Sequence, residues 1–576
     1  MQPLPQRKSG RRSTTERNFN VNTTNANDVK KQHKPHHYTY VVVGGGIAGT
    51  EAAKTLVALS LSSFPSNTVA LITPSLISDT SDTVTLTPHL QLFNIVQRPM
   101  DEFAAKYPQC TIVSDYVISV NKEESKVCLR SGGILFYKKL CIASGAIPKL
   151  LAVHPLVVGV RDPESAKKFE TAIRTSRRIC IVGNGAIALE AVGFLRHLKN
   201  VKLLWVSKQP NPTHVGNTFF DAGAGEFLCT DMKSNKKKTS DDDNDDDDDQ
   251  SDFFPIAHCN IELNGSVPEL TQKNLKWTYT EHFKQEFGSR EYGSALGPFW
   301  LKKSNDSQVD KQNEEQNKTI KSTDSDGSKV ATMVRECGST VHAISNPLTK
   351  NDGTNETFAY VWLSCGKIYE VDLIVSAIGV IPNTSFLKNN FINYIDTNDG
   401  GLKVNAKDLC VTSNIYAAGD CASITSNSKH WMQMRLWSQA RAQGRHVAMI
   451  MTGTAEKSYL GGFSFEIFAH HTTFWGYDVC LLGKFNQVNV EAVESGVGEE
   501  CHLEPKKKNT TIEVLVRRSK DEFLKVILKN HRVIGAVIVG KDMEDAETFE
   551  NLILNGTDVS GIDLLNPQLD LADYFD

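Results

Sequence analysis

Cysteine is absent from this chain before Cys110, and none of its 12 cysteines falls at Cys-x-x-Cys or Cys-x-x-x-x-Cys spacing. That removes the common zinc-binding pattern and any local redox dithiol. Cys141 and Cys180 sit inside apolar runs and read as small buried hydrophobes, and the lack of a disulfide framework favours a reducing compartment. Long apolar runs are also missing: no stretch approaches the roughly 18 residues that a membrane-spanning helix needs. Charge of one sign is not in excess either, with Lys+Arg at 63, Asp+Glu at 67 and a net charge of −4. A nucleic-acid binder would be strongly basic, so direct binding of nucleic acid is not expected.

What is present is uneven. The 576 residues leave room for several domains, and 40% hydrophobic content suffices for sizeable cores. Residues 1–37 are basic without an apolar stretch, which excludes a secretory signal and reads as a disordered tail. A second low-complexity region carries the run Asp241 to Asp249, broken by Asn244, and a Ser/Asn/Lys/Asp mixture from Lys302 to Ser328. Like-charge blocks of this kind solvate themselves rather than pack. They are expected to be disordered insertions at about 231–252 and 302–355, and the aspartate run is not expected to hold a metal.

Two segments are built alike: VVVGGGIAG (Val41 to Gly49) and ICIVGNGAIALE (Ile179 to Glu190). Each is an apolar strand, a Gly-x-Gly turn and a helix-forming run, the arrangement that sets a helix N-terminus against a pyrophosphate. In the first copy Gly44 permits the turn, Gly46 the close approach of backbone to phosphate, and Gly49 the packing of helix on strand, with Ile47 and Ala48 opening the helix. In the second copy Gly183 and Gly185 take those places, Ala186 and Ile187 open the helix, Ala188 replaces the third glycine, and Glu190 follows. Neither copy has the expected ribose-binding acid. The first second-strand ends Ile72-Thr73-Pro74-Ser75, where Thr73 or Ser75 offers a hydroxyl instead. The other ends in Ser207-Lys208, which either accepts a 2′-phosphate or is simply a solvated strand end.

Further along, IASGAIPK (Ile142 to Lys149) and SAIGVIPN (Ser376 to Asn383) echo each other. Both are strands ending in a glycine, Gly145 after Ser144 and Gly379, with proline three residues later, and mark crossings between domains. The strand of NIYAAGDCA ends in Gly419-Asp420, ahead of a helical stretch expected over Trp431 to Met451. Asp420 is either a helix cap or an acceptor for ribityl hydroxyls, and that helix N-terminus favours negative charge.

In order and spacing, VVVGGGIAG, IASGAIPK, IVGNGAIALE, SAIGVIPN and IYAAGD resemble the FAD/NAD(P)-dependent pyridine nucleotide-disulphide oxidoreductase family, from Tyr38 to Met451. The resemblance implies an α/β protein with two Rossmann-like, three-layer ββα nucleotide-binding domains. The FAD domain (38–150 and 370–455) is then split by an NAD(P)H domain (151–369), and an α+β domain with an acidic tail (456–576) follows. It implies FAD contacts at Gly44, Gly46, Gly49, Gly419 and Asp420, and NAD(P)H contacts at Gly183, Gly185 and Glu190. No protein group is implied as a catalytic residue, because the flavin carries the chemistry.

The family's disulphide reductases place a cysteine pair against the flavin, and this chain has no cysteine where such a pair would stand. The segments GNTFFDAGAGEFL, GSALGP, QMRLWSQAR, FSFEIFAH, ETFENLILN and DYFD are similar to a eukaryotic branch of the family without that pair. The similarity implies an NAD(P)H-dependent flavoprotein of nucleus and cytoplasm that protects a tRNA-splicing ligase complex from oxidative inactivation. A slow-turnover redox sensor that docks a partner is the alternative. Cys421, beside Asp420, reads chiefly as a buried structural thiol.

Overall fold

The structure is a computed structural model and describes residues 36–60, 68–198, 201–208, 224–225, 227–228, 257–258, 275–280, 332–350, 356–426, 428–454, 465–486, 512–540, 543 and 545–575. The basic N-terminal tail to residue 35, the aspartate run and the insertion at 302–331 lie outside the described residues.

The first nucleotide-binding unit begins β1 (His36–Val43), α1 (Ile47–Ser60), β2 (Val69–Thr73) and a hairpin of β3 (Ile77–Thr85) and β4 (Gln91–Arg98). It continues with β5 (Cys110–Ser114), β6 (Val117–Asn121), β7 (Lys126–Leu129) and β8 (Ile134–Ile142). The second unit runs β9 (Val157–Gly159), α2 (Pro163–Thr175), β10 (Arg178–Val182), α3 (Ala186–Leu195) and β11 (Lys202–Ser207). After it come β12 (Thr332–Cys337), a meander of β13 (Val341–Ser345), β14 (Thr357–Leu363) and β15 (Lys367–Val371), and β16 (Leu373–Ser376). The chain then returns through β17 (Ile415–Ala417) and α4 (Trp437–Thr452). Last come β18 (Ala469–Phe474), β19 (Tyr477–Gly483), β20 (Ile512–Arg518), β21 (Phe523–Lys529), β22 (Arg532–Gly540), α5 (Asp545–Asn555) and α6 (Leu571–Phe575).

The two units are assembled alike. In the first, parallel strands lie in the order β5-β2-β1-β8-β17, and in the second β12-β11-β10-β16-β9. Their central strands are buried on both faces, as the apolar runs of β1 and β10 require. In each sheet the strand order switches sides beside the strand that enters the glycine turn, β1 or β10, which opens a crevice at the strands' C-terminal ends.

Three sequence expectations are corrected here. The presumed insertion at 302–355 contains β12 and β13: Thr332–Cys337 pairs residue for residue with Lys202–Ser207. The surrounding polar sequence hid a strand whose stability comes from its neighbour. The return to the first unit falls near Gly379 rather than at 370, since Leu373–Ser376 pairs with β10 and β9. The last helix of the first unit starts at Trp437 rather than Trp431. The residues before it run extended because Gln439 grips them, its Oε1 accepting from Met434 N (3.0 Å) and its Nε2 donating to Met432 O (2.8 Å).

The C-terminal part is a five-stranded antiparallel sheet, β18-β19-β22-β21-β20, carrying α5. Its inner face shares one apolar cluster with the second unit: Phe474, Val479, Leu481, Phe523 and Val537 pack with Ala188, Leu189 and Val192 of α3. No described helix is long and apolar enough to cross a membrane.

Candidate functional site

At the C-terminal end of β1 the turn has no room for a side chain. Gly44 has φ +113°, and a Cβ there would lie 2.1 Å from the carbonyl oxygen of Ala143. A Cβ on Gly49 would lie 1.9 Å from Gly44 O, whereas Gly46 has open space around it and is exposed. The turn therefore draws α1 hard against the strand ends and leaves its N-terminus facing outward, where it favours negative charge.

That N-terminus opens into a cavity of about 740 Å³. Of the expected residues, Gly44, Gly46, Ile47, Ala48, Ser75, Ser144, Gly145, Gly419 and Asp420 line it, although they come from four segments of the chain. Gly49 and Gly379 are not on the wall. Gly379 instead adjoins the short pairing of Val380–Pro382 with Ala146–Pro148, which joins the two crossovers. Ser144 Oγ donates to Asn383 O (2.7 Å), and Asn383 N to Gly145 O (2.9 Å), so the crossovers are laced together under the cavity.

Asp420 sits in a short 3-10 turn, so it caps no long helix. It is held by two arginines: Arg161, which the sequence reading did not name, and Arg435 of the QMRLWSQAR segment. Arg161, just before α2, forms an ion pair with the Asp420 carboxylate and donates to Arg435 O (3.2 Å). Arg435 Nε donates to Asp420 O (3.0 Å), and its Nη2 reaches the buried carboxylate of Asp399 (2.8 Å). Gln443 Oε1 accepts from Gly419 N (2.6 Å). Asp420 thus lines the cavity with its carboxylate paired to Arg161 and its backbone held by Arg435 and Gln443.

Trp437 and Ala440, in the first turn of α4, complete the wall. This 16-residue helix lies close on α1 because Gly444 has no side chain: a Cβ there would lie 2.2 Å from Ala48 O. No acidic residue stands in its first turn to offset the positive end of its dipole. Arg435 and Trp437 were within reach of sequence reasoning only through the QMRLWSQAR segment, which carried similarity but no assigned role, and nothing in the sequence around Arg161 singled it out.

No cysteine is among the described residues lining the cavity. Cys421 is fully buried, its Sγ donating to Ile142 O (3.2 Å), and burial pushes its thiol up. The nine described cysteines are unbridged, and Cys110, in β5, is pushed up to about 12 by burial. None of these buried thiols is poised as a nucleophile.

The second glycine turn repeats the first. Gly183 has φ +132° and its Cβ would lie 2.2 Å from Ala377 O, the counterpart of the Ala143 contact. Trp205 Nε1 donates to Gly183 O (2.8 Å), and Gly185, extended at the N-cap, leaves the start of α3 without a side-chain cap. Ala186 and Ile187 are buried, so only their backbone faces outward, while Glu190 is half-buried one turn on. At the end of β11, Ser207 is only 1% exposed and Lys208 is exposed. Of the two residues expected to meet a ribose phosphate, Lys208 alone is accessible.

The residues present fit FAD in the first site: open space for a phosphate at Gly46, a helix end with no acidic residue in its first turn, and an acidic acceptor at Asp420 with an arginine beside it. The comparisons agree. The family model for pyridine nucleotide-disulphide oxidoreductase matches residues 38–235 and 284–444. A Homo sapiens protein named pyridine nucleotide-disulfide oxidoreductase domain-containing protein 1 is 34% identical over 553 residues, covering 93% of this chain and 98% of its own length. A protein of the same name from Dictyostelium discoideum is 34% identical over 566 residues, covering 93% and 99%. Among solved structures, the ferredoxin reductase of the CYP199A2 system from Rhodopseudomonas palustris superposes with a TM-score of 0.58 at 16% identity, covering 93% of this chain and 100% of that one. A NAD-dependent persulfide reductase from A. fulgidus gives 0.52 at 16% identity, covering 93% and 82%. The chain belongs to the pyridine nucleotide-disulphide oxidoreductase family, with FAD as cofactor and NAD(P)H as substrate.

Proposed function

We propose that this protein is an NAD(P)H-dependent flavin oxidoreductase that passes electrons onward without a protein dithiol. The observation that carries this is the cavity wall, where the Gly44–Ala48 turn, the crossover residues Ser144 and Gly145 and the Gly419–Asp420 turn meet and, among the described residues, no cysteine stands. FAD, when bound, supplies the acceptor for hydride from NAD(P)H.

The chain's own residues orient and polarise. The α1 N-terminus and Gly46 favour the pyrophosphate, and Asp420 accepts from a ribityl hydroxyl. The positive end of α4, beside Trp437 on the cavity wall, would favour negative charge on a cofactor held there. At the second turn the N-terminus of α3 would take the other pyrophosphate, and Lys208, exposed at the end of β11, is the residue that would meet a 2′-phosphate. No side chain need donate or take a proton in the hydride step.

Following the family branch that its sequence resembles, we assign the protein to nucleus and cytoplasm, protecting a tRNA-splicing ligase complex from oxidative inactivation. The test is anaerobic mixing of the purified protein with NADH and with NADPH, followed by air. Rapid bleaching of the flavin band and fast recovery in air support the oxidoreductase. A persistent long-wavelength band with slow recovery replaces it with a redox sensor, and a protein that neither holds nor takes up FAD overturns both.

A further inference from the structure

In a sheet of this topology the pyrophosphate lies at the end of β1 and the adenosine runs out over the neighbouring strand ends, here β2 and then β5. The end of β2 offers no carboxylate, and Thr73 Oγ1 is turned onto Ser75 O (3.4 Å). Beyond it, the cavity wall is made by Asp115, Tyr116, Val117, Ile118 and Arg130. The Arg130 guanidinium lies 4.0 Å from the centre of the Tyr116 ring, a close cation–π stack. Tyr116 is 43% exposed and Ile118 51%, so large flat and apolar surfaces are left open at the cavity mouth.

This stack is anchored from below. Arg130 N donates to Tyr116 O (2.9 Å), while the Asp115 carboxylate accepts from Tyr116 N (2.7 Å) and Ser131 N (3.2 Å). One carboxylate therefore ties the turn after β5 to the turn after β7. The backbones that carry the two side chains cannot drift apart independently.

We propose that the stacked Tyr116–Arg130 pair forms a platform on which the adenine of FAD stacks, taking over the anchoring that an acid on β2 would provide through the ribose. The assignment rests on the reading of the cavity as an FAD site. A purine is a flat π-system that binds an aromatic or guanidinium face without needing a particular hydrogen-bond pattern. A site of this design holds the base and is indifferent to the ribose 2′-hydroxyl, because no buried acceptor is left unpaired when that hydroxyl is absent.

The experiment uses the full chain stripped of flavin, titrated with FAD by fluorescence quenching, with ADP, 2′-deoxyADP and FMN as further ligands. Tyr116→Ala and Arg130→Ala are each expected to weaken FAD and ADP roughly tenfold, within the range that stacking a base is worth, and to leave FMN affinity unchanged. Wild-type protein is expected to bind 2′-deoxyADP within about twofold of ADP. Both side chains are exposed, so the variants should melt as wild type does without flavin. FAD affinity within twofold of wild type in both variants overturns the platform, as does parallel loss of FMN binding or a strong preference for ADP over its deoxy form. A wild-type chain that binds no FAD fails differently and removes the cofactor reading itself.

Discussion

Gly44 and Gly183 show most directly how a single residue sets the site. Each has a φ that L-residues rarely adopt, and each faces a carbonyl, Ala143 O or Ala377 O, that a methyl group would strike. Gly44→Ala should destabilise the fold and lower FAD retention together, because the added methyl strikes the Ala143 carbonyl and the turn that sets the α1 N-terminus must shift. The flavin-to-protein absorbance ratio of the purified variant measures the retention. Asp420→Asn keeps the shape but breaks the ion pair with Arg161. Removing one partner of a largely buried pair leaves the other charge uncompensated, at a cost of up to about 3 kcal/mol. The expected result is a lower melting temperature without flavin and weaker FAD binding. Cys421→Ser, by contrast, should leave the rate of flavin reduction by NADH unchanged, since its thiol is buried and high in pKa; a large loss in stopped-flow reduction would contradict that.

At the scale of elements, α4 is the piece on which most depends. It packs on α1 through Gly444, carries Trp437 to the cavity, and is tied to the C-terminal sheet where Ser438 Oγ meets His470 Nδ1 of β18 (3.0 Å). Gly444→Val should destabilise by roughly 2–4 kcal/mol, because the clash is with backbone that cannot move aside, and thermal melts would register it. Burial, with His471 adding repulsion, pushes His470 down to about 3. The sign follows: His470 stays neutral in the fold while the unfolded chain takes up a proton below about pH 6.5. The fold is therefore unaffected by this group above pH 6.5 and loses about 1.4 kcal/mol per pH unit from there toward pH 3. His470→Asn should flatten that part of the stability-versus-pH curve in urea titrations.

For the molecule as a whole, the second nucleotide unit and the C-terminal sheet are not separable. They share one apolar cluster, and a Cβ on Gly193 of α3 would lie 2.0 Å from Trp475 Nε1 in the turn between β18 and β19. Truncation after Thr454 would strip Phe474, Val479, Leu481 and Phe523 from that cluster. Exposed apolar area of this kind drives association, so the truncated chain should run as aggregate in size-exclusion chromatography. A monodisperse product would show that the shared core is dispensable.

The glycine turns, the crossovers and Asp420 were legible from sequence because each is a local device. A turn with positive φ or a backbone approach to phosphate demands glycine at a fixed offset from an apolar run, whatever surrounds it. Buried parallel strands were legible for the same reason, as β-branched runs. What escaped was everything whose meaning lies in a partner distant in sequence. The strand Thr332–Cys337 is polar in its flanks and ordinary in its composition, and becomes a strand only against Lys202–Ser207. Arg161 and Arg435 are unremarkable arginines until the fold sets them on Asp420 across more than one segment. Ser207 and Lys208 are neighbours in sequence, yet the sheet hides one side chain and exposes the other. The sequence by itself determined that two glycine turns follow apolar strands and that no cysteine precedes Cys110; the tertiary structure decided which side chains line the cavity and which are buried or paired, because burial and charge pairing are properties of neighbours rather than of residues.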